Sequence, residues 1–109
     1  MHRDEIPPGT LYLLILKTLS CGGRQHGYEI ARAIHRVSQD VLQVEEGSLY
    51  PALQRMLARG WVRAEWGSTA ENRRARYYQL TAAGRKQLEA EISQYERVTQ
   101  AIARVIQPA

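Results

Sequence analysis

A chain of 109 residues with 44% hydrophobic residues and no Phe has room for one domain, or one domain plus an appendage, built on an aliphatic core. A single Cys excludes an internal disulfide, and no apolar run is long enough to span a bilayer or to form a signal-peptide core, so the chain reads as a cytoplasmic protein without membrane association. The net charge of +4 is unevenly placed: residues 1–58 carry six basic and six acidic side chains, residues 59–86 seven and two, and residues 87–109 two and three. A local basic excess of this kind suits a polyanion.

In chain order, residues 1–9 read as a polar arm ending in the turn signal Pro7-Pro8-Gly9. Thr10 is placed to cap a helix over residues 11–19, LYLLILKTL, which Cys21-Gly22-Gly23 closes. This helix is apolar on almost every face and needs cover all round, part of it expected from a partner subunit. His26-Gly27-Tyr28-Glu29-Ile30 begins a second helix that runs to Val37 or Gln39, with Ile30, Ile34 and Val37 on its inward stripe. A loop follows, with Val41, Leu42 and Val44 apolar enough to pin it to the core. The stretch EEGSLYPALQRMLARGW predicts a third helix, with Ser48 as N-cap, Pro51 in the first turn and Gly60 as the stop. At 100° per residue, Leu49, Ala52, Leu53, Met56 and Leu57 share one face, while Gln54, Arg55 and Ala58 lie opposite with Ser48 and Tyr50 near the start. Two helices, a linker and a third helix with a polar face follow the helix-turn-helix order.

Trp61 to Trp66 alternates, with Val62, Ala64 and Trp66 on one side, and Ala75 to Leu80 reads as the return strand. Trp61, Trp66 and Tyr78 are expected in the hairpin core, and the turn-rich tip carries Asn72, Arg73 and Arg74. A hairpin after a helix-turn-helix is a wing. Thr81 caps a last helix over residues 82–106, in which Leu88, Ile92, Tyr95, Thr99, Ile102 and Ile106 are spaced 4, 3, 4, 3, 4, a coiled-coil seam. So long a seam exceeds what a three-helix core can cover, and a homodimer resolves this. The expected fold is mainly α with a small β-hairpin: a winged helix-turn-helix over residues 1–81 with its N-terminal arm, and a dimerisation helix over residues 82–109.

The segments GTLYLLILKTL at 9–19, HGYEIARAI at 26–34, VEEGSLYPALQRMLARGWVRAEW at 44–66 and NRRARYYQLTAAGRKQL at 72–88 together resemble the PadR-like family of winged helix-turn-helix transcriptional regulators, in its compact branch with one C-terminal helix. The resemblance implies operator binding through the third helix and the wing, and dimerisation mainly through the last helix with help from the first. It also implies response to small aromatic or drug-like molecules near the dimer interface.

On that footing the candidate DNA contacts are Ser48, Tyr50, Gln54 and Arg55 in the third helix and Asn72, Arg73, Arg74 and Arg76 in the wing. Gln can pair bidentately with adenine and Arg with guanine, hydroxyls suit phosphates, and the wing residues suit phosphate or the adjacent minor groove. The candidate dimer interface is Leu11, Ile15, Leu88, Ile92, Tyr95, Thr99, Ile102 and Ile106, and Tyr12 and Tyr95 are the aromatic candidates for an effector pocket. The expected partners are double-stranded DNA, a second copy of the chain and a small aromatic effector. No catalytic residue, cofactor or metal is expected: His26 and Glu29 lack the rest of a zinc motif, Cys21 with His26 supplies too few ligands, and Gly22-Gly23 lacks the Lys of a phosphate loop. The alternative is a winged-helix protein-interaction or RNA-binding module, against which stands the lack of an exposed aromatic platform.

Overall fold

The computed structural model describes Ile6 and residues 9–108. Its elements are α1 (Leu11–Gly22), β1 (Gln25–His26), α2 (Gly27–Val37), α3 (Glu46–Ala58), β2 (Val62–Ser68), β3 (Arg74–Leu80) and α4 (Ala82–Ile106). The turn expected at Pro7-Pro8 lies outside the described residues, but Ile6 packs against the core.

The core forms where the apolar faces of the helices meet the base of the sheet. Ile15, Leu16 and Leu19 of α1 are buried with Ile30 and Ile34 of α2, Leu49, Leu53 and Met56 of α3, and Val62, Tyr78 and Leu80 of the hairpin. Each such aliphatic side chain contributes roughly 1.5–3 kcal/mol. α1 is central and touches α2, α3, β3 and α4, so its own domain covers most of the faces for which the sequence predicts a partner. Ile15 is 0% exposed and Leu88 only 8%. Both are therefore withdrawn from the candidate dimer interface, because the core of the same chain already fills their surroundings.

β1 has no counterpart among the elements that the sequence predicts. Two residues are too few to show an alternating pattern, and pairing with a distant strand defines this one: Gln25 lies opposite Tyr78 and His26 opposite Tyr77. The sheet is thus three-stranded in the order β1-β3-β2. The buried Gln25 is satisfied by donating from Nε2 to the Thr18 carbonyl at 3.2 Å. This short ladder ties the wing directly to the start of α2.

The start of α3 also differs from expectation. Glu45 is the N-cap and its carbonyl accepts from Leu49 N at 2.9 Å. Ser48 therefore lies within the first turn and caps nothing. Pro51 falls in the second turn, where its missing N–H removes the bond that the Gly47 carbonyl would otherwise accept. The other end follows the sequence signal. Gly60 takes φ +75°, its N–H donates to the Leu57 carbonyl, and Trp61 N donates to the Met56 carbonyl, both at 3.0 Å. These are the paired bonds of a Schellman stop.

Three apolar residues expected in the core face outward. Val37 is 75% exposed because α2 ends there and leaves it past the core, and Val41 is exposed in the loop while Val44 pins it. Trp66 is 58% exposed. It continues the inward row of β2, but the four-residue step from Val62 carries the strand about 13 Å, beyond the reach of α1–α3.

Thr81 caps α4 as expected, accepting from Gly84 N at 3.0 Å, and its Oγ1 also donates to the Gly60 carbonyl at 2.6 Å. The end of α3 and the start of α4 are thereby joined at the base of the wing. α4 rests on the core through Gly84, Leu88 and the half-buried Ile92. From Tyr95 onward every residue of the helix is exposed, including Val98, Ile102, Val105 and Ile106.

Candidate nucleic-acid interface

The polar side of α3, the first turn of α2 and the inner face of the wing enclose an open groove of about 790 Å³. Tyr50 and Gln54 of α3 line it together with Arg73, Arg74 and Arg76 of the wing. Five of the eight residues expected to contact DNA thus share one surface.

The other three stand apart. Ser48 is exposed in the first turn of α3 but does not line the groove. Arg55 is turned away: its Nε donates to the Tyr12 hydroxyl and its guanidinium lies 5.6 Å from that ring. One position beyond Gln54 rotates a side chain by 100°, which here directs the long Arg55 to α1. Arg55 is therefore dropped as a base reader. Asn72 serves the turn at the tip, with φ +61° and its N–H donating to the Thr69 carbonyl at 2.9 Å. Asn tolerates that left-handed conformation better than most residues.

Tyr50 joins α3 to the start of α2. It is half exposed to the groove, and its ring covers Gly27, where an added Cβ would fall 2.8 Å from both Cε1 and the hydroxyl. Glycine at the first position of α2 is what lets the ring lie so close. The preceding His26 completes a capping box, its Nδ1 accepting from Glu29 N at 3.4 Å while Glu29 Oε1 accepts from His26 N at 3.0 Å. The ring of His26 stands edge-on to Tyr77 at 5.3 Å.

On the outer face of the wing, Arg24 pairs with Glu65 at 2.7 Å and lies 4.2 Å from the Tyr77 ring. Both side chains of the pair are largely exposed, so the ion pair itself contributes little to stability. Its consequence is electrostatic, since it occupies the one acid of β2 on the side away from the groove. Inside the groove, Arg76 keeps its Nε shielded from solvent and without a hydrogen-bond partner among the described residues. An unpaired donor of this kind costs about 1–3 kcal/mol.

Residues that the local sequence does not mark as DNA contacts also line the groove: His26 of β1, Tyr28 and Arg32 of α2, and Trp66 of the wing. HGYEI is visible as a motif, but nothing local indicates that its first turn faces the wing. Tyr28 and Trp66 are well exposed, so the expectation that the chain lacks exposed aromatics on this side is corrected. Trp66 carries Arg74 at 4.6 Å and Arg76 at 5.9 Å from its ring. Of the effector candidates, Tyr12 meets Trp61 edge-on at 5.4 Å and is flanked by Arg55 and Arg59. Tyr95 stands exposed on α4.

Burial raises the Tyr78 phenol above its ordinary value of 10.0, an effect that Arg76 opposes and Tyr50 reinforces. The unfolded chain therefore releases this proton first, so stability is full below about pH 10 and declines as the pH rises toward the folded-state value. Tyr78→Phe is expected to flatten that decline in denaturation midpoints measured from about pH 8 to about pH 11. An unchanged alkaline slope would remove Tyr78 as its source.

Among the described residues, no group of three or more His, Cys, Asp or Glu side chains is placed to hold a metal ion, and no helix is long and apolar enough to cross a membrane. The family model for the transcriptional regulator PadR-like family matches residues 15–90. A transcriptional regulator from Clostridium thermocellum is similar over 91% of this chain and 95% of its own, with 25% identity and a TM-score of 0.82. A PadR-like transcriptional regulator from Bacillus cereus is similar over 93% and 95%, with 26% identity and a TM-score of 0.75. For a PadR family transcription regulator from Clostridium difficile the coverages are 90% and 99%, with 25% identity and a TM-score of 0.74.

Proposed function

The chain belongs to the PadR-like family of transcriptional regulators, and on that premise we propose that it is a repressor that binds an inverted-repeat operator as a cytoplasmic homodimer. The observation that carries this reading is the shared groove, in which Tyr50 and Gln54 of α3 meet Arg73, Arg74 and Arg76 of the wing. α3 enters the major groove with Gln54 against a base edge, bidentate to adenine N6 and N7, and Tyr50 near the backbone. The wing arginines hold flanking phosphates and fix the register without reading sequence. A dimer formed along α4 sets two such helices about 34 Å apart or a multiple of it. Repression follows from occupancy of promoter DNA, and a small aromatic effector acts by binding one dimer geometry better than another, with Tyr95 as the aromatic side chain nearest to that role.

Duplexes enriched from a random pool on the wild-type protein supply the test. Log affinity for the enriched duplex is expected to fall with log salt by about 0.9 for each phosphate contacted. Gln54→Ala is expected to lose about 1–3 kcal/mol of discrimination at one base pair while non-specific affinity barely changes. A flat salt profile, an equal loss on all sequences, or preference for single-stranded RNA competitor would each overturn the reading.

A further inference from the structure

We propose that Trp66 is the positioning residue of the wing, an indole platform that holds Arg74 and Arg76 over the groove so that they meet DNA phosphates already oriented. The inference rests on the DNA-binding reading above and adds a residue to it. Trp66 lies in the row of β2 that faces inward at its base, yet at this height it meets no core and is 58% exposed. Arg76 is its direct cross-strand partner, and Arg74 lies two residues along the same face of β3. Their guanidinium carbons stand 5.9 and 4.6 Å from the indole ring, within cation–π range. All three side chains line the groove.

Neither arginine is paired with a carboxylate among the described residues. Glu65, the neighbouring acid of β2, is held by Arg24 on the opposite face of the sheet. The charge of the two guanidiniums is therefore left for an external anion. A cation–π contact uses the flat face of the guanidinium; Arg76 Nε is shielded from solvent, so it is the terminal Nη groups that remain to donate to a phosphate. An unrestrained arginine loses much of its rotamer freedom on clamping a phosphate, whereas one already laid on an indole has lost part of it beforehand. An exposed tryptophan in the outer half of a wing has no packing role that a smaller apolar residue could not fill. Its position under two unpaired arginines gives it one.

The test measures anisotropy of a fluorescein-labelled duplex enriched on the wild-type protein, across a salt series. Trp66→Leu is expected to raise Kd by roughly 3- to 30-fold, the scale of the ordering cost that two released arginine side chains would meet on binding, and to make the salt dependence shallower, by up to about 0.9 for each phosphate that the wing no longer neutralises. Trp66→Phe, which keeps an aromatic face, is expected to recover most of both. In an Arg74→Ala/Arg76→Ala background, Trp66→Leu should add almost nothing, because the groups through which it acts are gone. This cycle also holds where Trp66→Leu lowers Tm, since a folding defect would persist in both backgrounds. Additive effects, an unchanged salt slope, or no rescue by Phe would overturn the proposal while leaving DNA binding itself intact. Failure of the wild-type protein to enrich any duplex would instead sink the reading on which it rests.

Discussion

Ile102→Glu is expected to convert the proposed dimer to a monomer and to weaken binding to a two-half-site duplex by at least about 100-fold, the scale of avidity forfeited when two modules are uncoupled. Ile102 is 53% exposed in the single chain, beside the exposed Tyr95, Val98 and Val105 on the same stripe of α4. The substitution therefore leaves the core of the protomer untouched. In a dimer packed along this stripe it would bury one carboxylate from each protomer in an apolar seam, a desolvation cost that the seam cannot offset. Sedimentation velocity should show the smaller species, and affinity for an isolated half-site should stay close to that of the wild type. A variant that stays dimeric, or that loses half-site and full-site binding equally, would show that the exposed stretch of α4 is not the coupling element.

Gly84→Ala is expected to destabilise the protein by roughly 1–3 kcal/mol or more, as overpacked cores do, with Tm falling about 4–8 °C per kcal/mol for a domain of this size. Helix propensity alone predicts the opposite sign, because Ala in a helix is favoured over Gly by about 1 kcal/mol. The structure decides between them. A Cβ at Gly84 would fall 2.1 Å from the Trp61 carbonyl oxygen and 2.7 Å from Leu80 Cδ1. That carbonyl accepts the Thr81 N–H at 3.1 Å, so it cannot move aside without loosening the joint between α3, the wing and α4. A thermal melt in which Gly84→Ala is as stable as the wild type would refute the close approach. The same joint sets the angle at which the wing meets α3, so DNA affinity should fall along with stability.

Much of this architecture is written in short-range signals. Thr81 after an alternating strand and before a seam of 4, 3, 4, 3, 4 spacing locates α4 to the residue. Gly60 after Arg59 marks the end of α3, and the period of Leu49, Ala52, Leu53 and Met56 identifies its buried face. The basic excess of the hairpin and the polar face of α3 that carries Gln54 are likewise legible without help from the fold. Such signals act between residues at most a few positions apart, through caps, turns and one face of one element, and the sequence displays them directly.

What the sequence determined by itself, then, was the order and type of the helices and hairpin, the polar face of α3 and the family. Only the tertiary structure decided which side chains converge. Tyr12 captures Arg55 across 43 residues of chain and turns it away from the groove that Gln54 lines. β1 exists only because β3 passes beside it. Ile15 and Leu88 satisfy a heptad or helical pattern equally well whether the neighbour is their own core or a partner, and here it is their own core. Trp66 obeys the inward alternation of its strand, yet the core ends below it and leaves its ring to two arginines. In each case the deciding quantity is how far another element extends in space, which depends on packing among all of them and which no local pattern encodes.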